Sequence, residues 1–154
     1  MTPDSGLKVA ILMGSEKDLP AMQPAADVLS DLGIEHDVQV MSAHRTPEAV
    51  AAFASGARDA GYGVIICGAG KAAHLAGAVA AHSTLPVIGV PIAAGTLGGL
   101  DALLSTVQMP TGIPVATVAV DSAANAAYLA ASVLSTSDDG IAKGLDDYRR
   151  GLRQ

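Results

Sequence analysis

His44 and Arg45 stand side by side in the segment Met41-Ser42-Ala43-His44-Arg45-Thr46-Pro47. An imidazole exchanges protons near neutral pH, and a guanidinium presents a fixed fork of donors that suits phosphate. An isolated loop histidine is commonly just solvated, and Arg45 has an alternative partner in Asp18 or Glu48. A second segment, Gly14-Ser15-Glu16-Lys17-Asp18, leads towards a helix N-terminus, where free N–H groups and the helix dipole favour an anion. Its spacing matches neither the Walker A loop nor Gly-x-Gly-x-x-Gly, so a nucleoside triphosphate or dinucleotide is not indicated. Ser15 and Asp18 suit a phosphorylated ribose, with Asp18 accepting from sugar hydroxyls; an ordinary capped turn is the competing reading. Gly68-Ala69-Gly70 lets the backbone approach a flat ligand, although tight turns also use glycine. His74 reads as a second ligand contact or a core histidine, and Lys71 as solvated. His36 and His82 fall outside this group, Cys67 reads as a buried small residue, and no cluster has metal-ligand spacing. These residues together imply a phosphate-bearing small molecule handled by a histidine acid/base.

The elements that must position these residues follow from hydrophobic periodicity. Residues 8–13 form a continuous apolar run, as in a strand covered on both faces. Apolar residues from Met22 to Leu32 recur at helical spacing until Gly33. Further strands are expected over 34–41, 63–67, 85–90 and 115–120. Helices are expected from Pro47 to near Gly61, over 75–82, 100–107 and 123–134, and over 141–152. Thr46 is expected to cap the helix that Pro47 opens, and Asp121 or Ser122 the one at Ala123. Five strand–helix alternations specify an α/β three-layer sandwich with a central parallel sheet. A flavodoxin-like order 2-1-3-4-5 places a ligand outside the carboxyl ends of the strands, where the turns after the first three strands meet. One domain over 1–154 is expected, its core about 8–135.

Bulk composition narrows the partners. Of 154 residues half are hydrophobic but only 3% aromatic, so Ala, Val, Leu and Ile must build the core. A net charge of −6 without a basic run argues against nucleic acid or an anionic membrane. Mean hydropathy is +0.40, yet the uncharged tracts 72–100 and 102–120 are interrupted by proline and glycine, unlike a membrane span. The segment Met1-Thr2-Pro3-Asp4-Ser5-Gly6 lacks the pattern of a signal peptide, and one cysteine excludes an intrachain disulfide framework. The alanine-rich stretch 123–134 reads as a helix apolar all round, which implies burial by self-association.

Several blocks together resemble the N5-carboxyaminoimidazole ribonucleotide mutase family, the PurE family of purine biosynthesis. They are Met13-Gly14-Ser15 with Asp18, Ser42-Ala43-His44-Arg45-Thr46-Pro47, Gly68-Ala69-Gly70 with Ala72-Ala73-His74-Leu75, Val107-Gln108-Met109-Pro110 with Gly112-Ile113-Pro114, and Asn125-Ala126-Ala127. Arg-Thr-Pro after the histidine resembles the mutase branch rather than the branch that carboxylates aminoimidazole ribonucleotide directly. The resemblance implies a cytoplasmic isomerase that moves a carboxylate from the exocyclic nitrogen to ring carbon C4 with no cofactor and no metal, assembled as a homo-octamer. By position it implies His44 as general acid/base, Ser15, Asp18 and Arg45 as ribotide ligands, and Ser42, Ala43, Gly70, His74 and Leu75 as the lining of the base and carboxylate pocket. The 109–114 loop is expected to cover that pocket. Three departures stand out: Lys71 where some members have glycine, a turn at 92–98 without an expected serine, and a short link from Val120 to Asn125. A direct carboxylase and a non-catalytic phospho-ligand sensor are the rival readings.

Overall fold

Apolar runs become inner strands where both faces can be covered. In the computed structural model, which describes residues 6–154, β1 (Lys8–Met13) is buried from Val9 onward. It lies between β2 (His36–Val40) and β3 (Tyr62–Gly70), with β4 (Val87–Ile92) and β5 (Ala116–Thr117) beyond. The order is β2-β1-β3-β4-β5 with every pair parallel, the flavodoxin-like arrangement. Residues alternate between faces along a strand, so Val9, Ile11 and Met13 point into one core and Ala10 and Leu12 into the other. The first core is closed by α1 (Leu19–Asp31), α5 (Ala123–Leu134) and α6 (Asp139–Gly151), the second by α2 (Pro47–Gly56) and α3 (Leu75–His82). On the second face α4 (Leu100–Val107) packs Thr106 over Gly89 beside Ala76 of α3. The expectation about the first residues lies outside the described ones.

Several boundaries differ from the sequence reading. β3 continues through Gly68-Ala69-Gly70, which pair with Met13 of β1 and with Val90, Pro91 and Ile92 of β4. These glycines serve internal packing: a Cβ on Gly68 would collide with Met22 Sδ, and one on Gly70 would stand 2.9 Å from Ala94 Cβ. β4 runs two residues later than expected and contains Pro91, at a level where β5 has already ended and no donor is needed on that side. β5 shrinks to two residues because it is an edge paired on one side only. α2 stops at Gly56 and gives way to turns that end at Gly61, whose φ is +91°. α6 begins at Asp139, since the buried Asp138 carboxylate accepts from Ile141 N at 3.0 Å.

Two caps and one interface also move. Thr46 makes no cap bond, and neither does Ser122; Asp121, at φ +60°, accepts from Ala93 N at 2.9 Å instead. α5 buries Ala123, Ala126, Ala127, Ala130, Ala131 and Leu134 within its own chain, while Asn125 and Leu129 are exposed. Its small side chains permit close packing of α1 and α5, so no second copy is needed to cover them. The uncovered apolar surface lies on and beside α4, where Leu97, Leu100, Leu104 and Val107 are 61%, 55%, 51% and 42% exposed. Val38 and Val40 of the edge strand β2 also face outward. Among the described residues no helix is long and apolar enough to cross a membrane.

Candidate active site

Parallel strands bring successive βα turns to one edge, and there they enclose a cleft of about 390 Å³. The turn after β1 contributes Ser15 and Asp18, and the turn after β2 contributes Ser42, Ala43, His44 and Arg45. The end of β3 and the start of α3 contribute Gly70, His74 and Leu75. All nine residues singled out from the sequence therefore line one space. The cleft also takes Lys17, Lys71 and Ala94. Lys17 was legible only as part of a turn, and Ala94 carries no chemical signal at all.

The loop bearing His44 is held by its own hydrogen bonds. Ser42 Oγ accepts from His44 N at 3.3 Å and Arg45 N at 3.1 Å. Thr46 Oγ1 accepts from Ser42 N at 2.9 Å and donates to Ser42 O at 3.1 Å, which is why it is not available to cap α2. Pro47 still opens the helix. His44 Nε2 then lies 2.7 Å from His74 Nδ1, the rings edge-on at 88° with centroids 4.9 Å apart. One imidazole donates and the other accepts, so this bond sets complementary tautomers. His74 occupies the residue before α3 without capping it.

Charge in the cleft is opposite to that of the chain as a whole. Arg45 forms no ion pair with Asp18 or Glu48, and the ion pairs among the described residues involve neither Lys17 nor Lys71. Three unpaired cations thus face one half-buried carboxylate, Asp18. Burial pushes the Asp18 carboxyl above its ordinary value, with a hydrogen bond from the Ser15 backbone pulling partly back. Ser15 itself accepts from Lys17 N at 3.2 Å, capping a short 3-10 turn, Glu16–Asp18, that precedes α1. Such a cleft can hold an anion of two or more charges next to a proton-transfer pair.

The remaining candidates lie elsewhere. Cys67 is buried and its thiol pushed well up by desolvation, as for an inert core residue. His36 Nδ1 meets Ile34 O at 2.9 Å, and His82 Nδ1 meets Ala78 O at 3.0 Å. Among the described residues no group of three or more His, Cys, Asp or Glu is arranged to hold a metal. The 109–114 loop does not line the cleft: Met109 packs over Gly77 of α3, and Ile113 lines a separate groove beside Ala54 and His82. The expected cover is therefore absent in the single chain. Two of the three sequence departures prove to be neighbours, because the Lys71 side chain lies against Gly95 in the turn after β4.

Comparison with known proteins agrees with this architecture. The chain is 54% identical over 144 residues to the N5-carboxyaminoimidazole ribonucleotide mutase of Brucella melitensis, covering 92% of this chain and 89% of that protein. It is 49% identical over 146 residues to the chloroplastic phosphoribosylaminoimidazole carboxylase of Vigna aconitifolia, covering 95% of this chain but spanning only 26% of that protein's length. Among solved structures, Treponema denticola PurE superimposes with a TM-score of 0.87 at 32% identity, covering 95% of this chain and 91% of that one. A family model described as AIR carboxylase matches residues 8–154, and the chain belongs to that family.

Proposed function

We propose that this protein is an N5-carboxyaminoimidazole ribonucleotide mutase, an isomerase that forms 4-carboxy-5-aminoimidazole ribonucleotide in purine biosynthesis. The observation that carries the reading is the convergence of three βα turns on His44, with three unpaired cations around it. The names of the bacterial relatives support the same activity. In this mechanism Arg45 and Ser15 hold the phosphate and Asp18 accepts from the ribose hydroxyls. Ser42, Ala43, Gly70, His74 and Leu75 surround the imidazole and its carboxylate. His44 protonates the carbamate nitrogen, the N–C bond breaks, and CO2 leaves an enamine-like ring. Carbon C4 attacks the retained CO2, and the same imidazole removes the C4 proton, so one group handles both transfers and no external proton is consumed. A positioned acid/base of this kind supplies about 10²–10⁴-fold; holding CO2 against C4 supplies much of the rest.

The chain acts as one domain, in the cytoplasm, and assembles as a homo-octamer; the exposed α4 leucines support self-association. Direct carboxylation of aminoimidazole ribonucleotide is the second reading, favoured by the name of the Vigna relative. Purified protein given each ribotide separates the two. Turnover of the carbamate is expected, and His44→Asn is expected to lose it by at least about 10²-fold. Activity only with aminoimidazole ribonucleotide plus bicarbonate overturns the mutase. Ligand binding without turnover in either form establishes a sensor instead.

A further inference from the structure

We propose that Lys71 is a specificity-determining residue whose ammonium holds the carboxylate of the ribotide; this rests on the reading of the cleft given above. Lys71 has φ +54°, a left-handed conformation that glycine adopts without strain and a lysine does not. Strained residues of this kind persist where their surroundings over-determine them, and they gather at ligand clamps.

The surroundings here do fix it. Lys71 O accepts from Ala73 N at 2.8 Å, and Ala72 O accepts from His74 N at 3.0 Å, so two tight turns lead directly into the histidine of the pair. The Lys71 stem runs over bare backbone: a Cβ added to Gly95 would stand 3.2 Å from Lys71 Cε and 3.8 Å from its Cγ. That neighbouring turn is itself pinned, since Asp121 accepts from Ala93 N and donates its own N–H to Pro91 O at 2.8 Å. The methylenes are seated, Lys71 is among the residues that line the cleft, and its ammonium has no carboxylate partner among the described residues.

Strand order decides which anionic group it meets. Along the edge the turns run β2, β1, β3, β4, which sets Arg45 and Lys17 at one end and Lys71 at the other. The first end carries the residues assigned to the phosphate. The second carries Gly70, His74 and Leu75 of the base and carboxylate lining, which Ser42 and Ala43 complete from the turn after β2. Each anionic group of the ligand thereby receives its own cation. A lysine, with three rotatable donors on a flexible stem, can hold the carboxylate both as carbamate and after transfer to C4.

The test compares the parent with Lys71→Gly, Lys71→Met and Lys71→Arg. KM for the carbamate ribotide is expected to rise about three- to tenfold in the Gly and Met variants, with kcat within about twofold and most of the loss restored in the Arg variant. Affinity for aminoimidazole ribonucleotide, which lacks the carboxylate, is expected to stay unchanged. The melting temperature of Lys71→Gly should hold near the parent's, because glycine accepts this backbone. Unchanged KM in both neutral variants overturns the proposal. So does an equal loss for aminoimidazole ribonucleotide, which would place the ammonium on the phosphate, and so does a steep fall in melting temperature, which would mark a structural role. A parent that turns over neither ribotide overturns the reading of the cleft itself, a result distinct from unchanged KM in an active parent.

Discussion

Asp18 combines two demands that pull against each other. In the proposed mechanism its carboxylate accepts from sugar hydroxyls, which it does best when ionised, yet burial raises its proton affinity above the ordinary carboxylate value. As pH falls it protonates earlier than a solvated aspartate. Ribotide KM is therefore expected to start climbing at a higher pH than a solvated aspartate would dictate as the solution is acidified, and Asp18→Asn should flatten this dependence while raising KM about tenfold at pH 7; steady-state kinetics across pH reads both. The linkage sign for folding is opposite to that of a salt-bridged acid. With the folded value raised, ionisation of Asp18 subtracts stability above that value, so the Asn variant should unfold no more easily at neutral pH. At this scale the sequence revealed chemical types and the turns that carry them. It did not reveal hydrogen-bond direction: Thr46 reads as a helix cap, but its hydroxyl closes the Ser42 turn, and Asp121 reads as a cap but ties down Ala93. Both are local choices between equally placed backbone donors, which residue type leaves open.

The strands are sutured at the end away from the cleft. Tyr62 O–H donates to Asp37 Oδ2 at 2.6 Å, Lys8 Nζ donates to the same oxygen at 3.0 Å, and the ammonium sits 4.4 Å from the Tyr62 ring centroid. One carboxylate thus joins β1, β2 and β3. The Tyr62 hydroxyl, then Lys8, hold the Asp37 carboxyl below its ordinary value. Stability from a depressed acid is present above the unfolded value and lost as pH falls through the folded one. Tyr62→Phe should cost about 1 kcal/mol at pH 7, with the difference from the parent fading as pH falls from the ordinary carboxylate value through the lowered one; urea titrations at several pH values measure it. Element identity was legible because apolar spacing is a local property. The extension of β3 to Gly70 and the shortening of β5 were not, because both depend on which neighbour supplies hydrogen bonds. Gly68 illustrates the limit: its missing Cβ makes room for Met22 of α1, and nothing adjacent in sequence reports that.

For the whole molecule, the excess apolarity lies on α4 and not on α5. Leu100 and Leu104 are one helical turn apart, with Leu97 and Val107 extending the stripe. Contiguous exposure of this kind marks an interaction surface, and a second copy of the chain is the occupant of the proposed octamer. Leu100→Glu with Leu104→Glu is expected to reduce the mass measured by light scattering; an unchanged mass means that assembly uses another face. The alanine-rich helix misled because its composition does not distinguish burial against its own sheet from burial against a partner.

The bond between His44 and His74 ties the turn after β2 to the start of α3. Both ring nitrogens involved are already satisfied at 2.7 Å, so an arriving ligand exchanges one hydrogen bond for another. A ligand atom that takes His44 Nε2 therefore meets an imidazole whose tautomer is tied to that of His74.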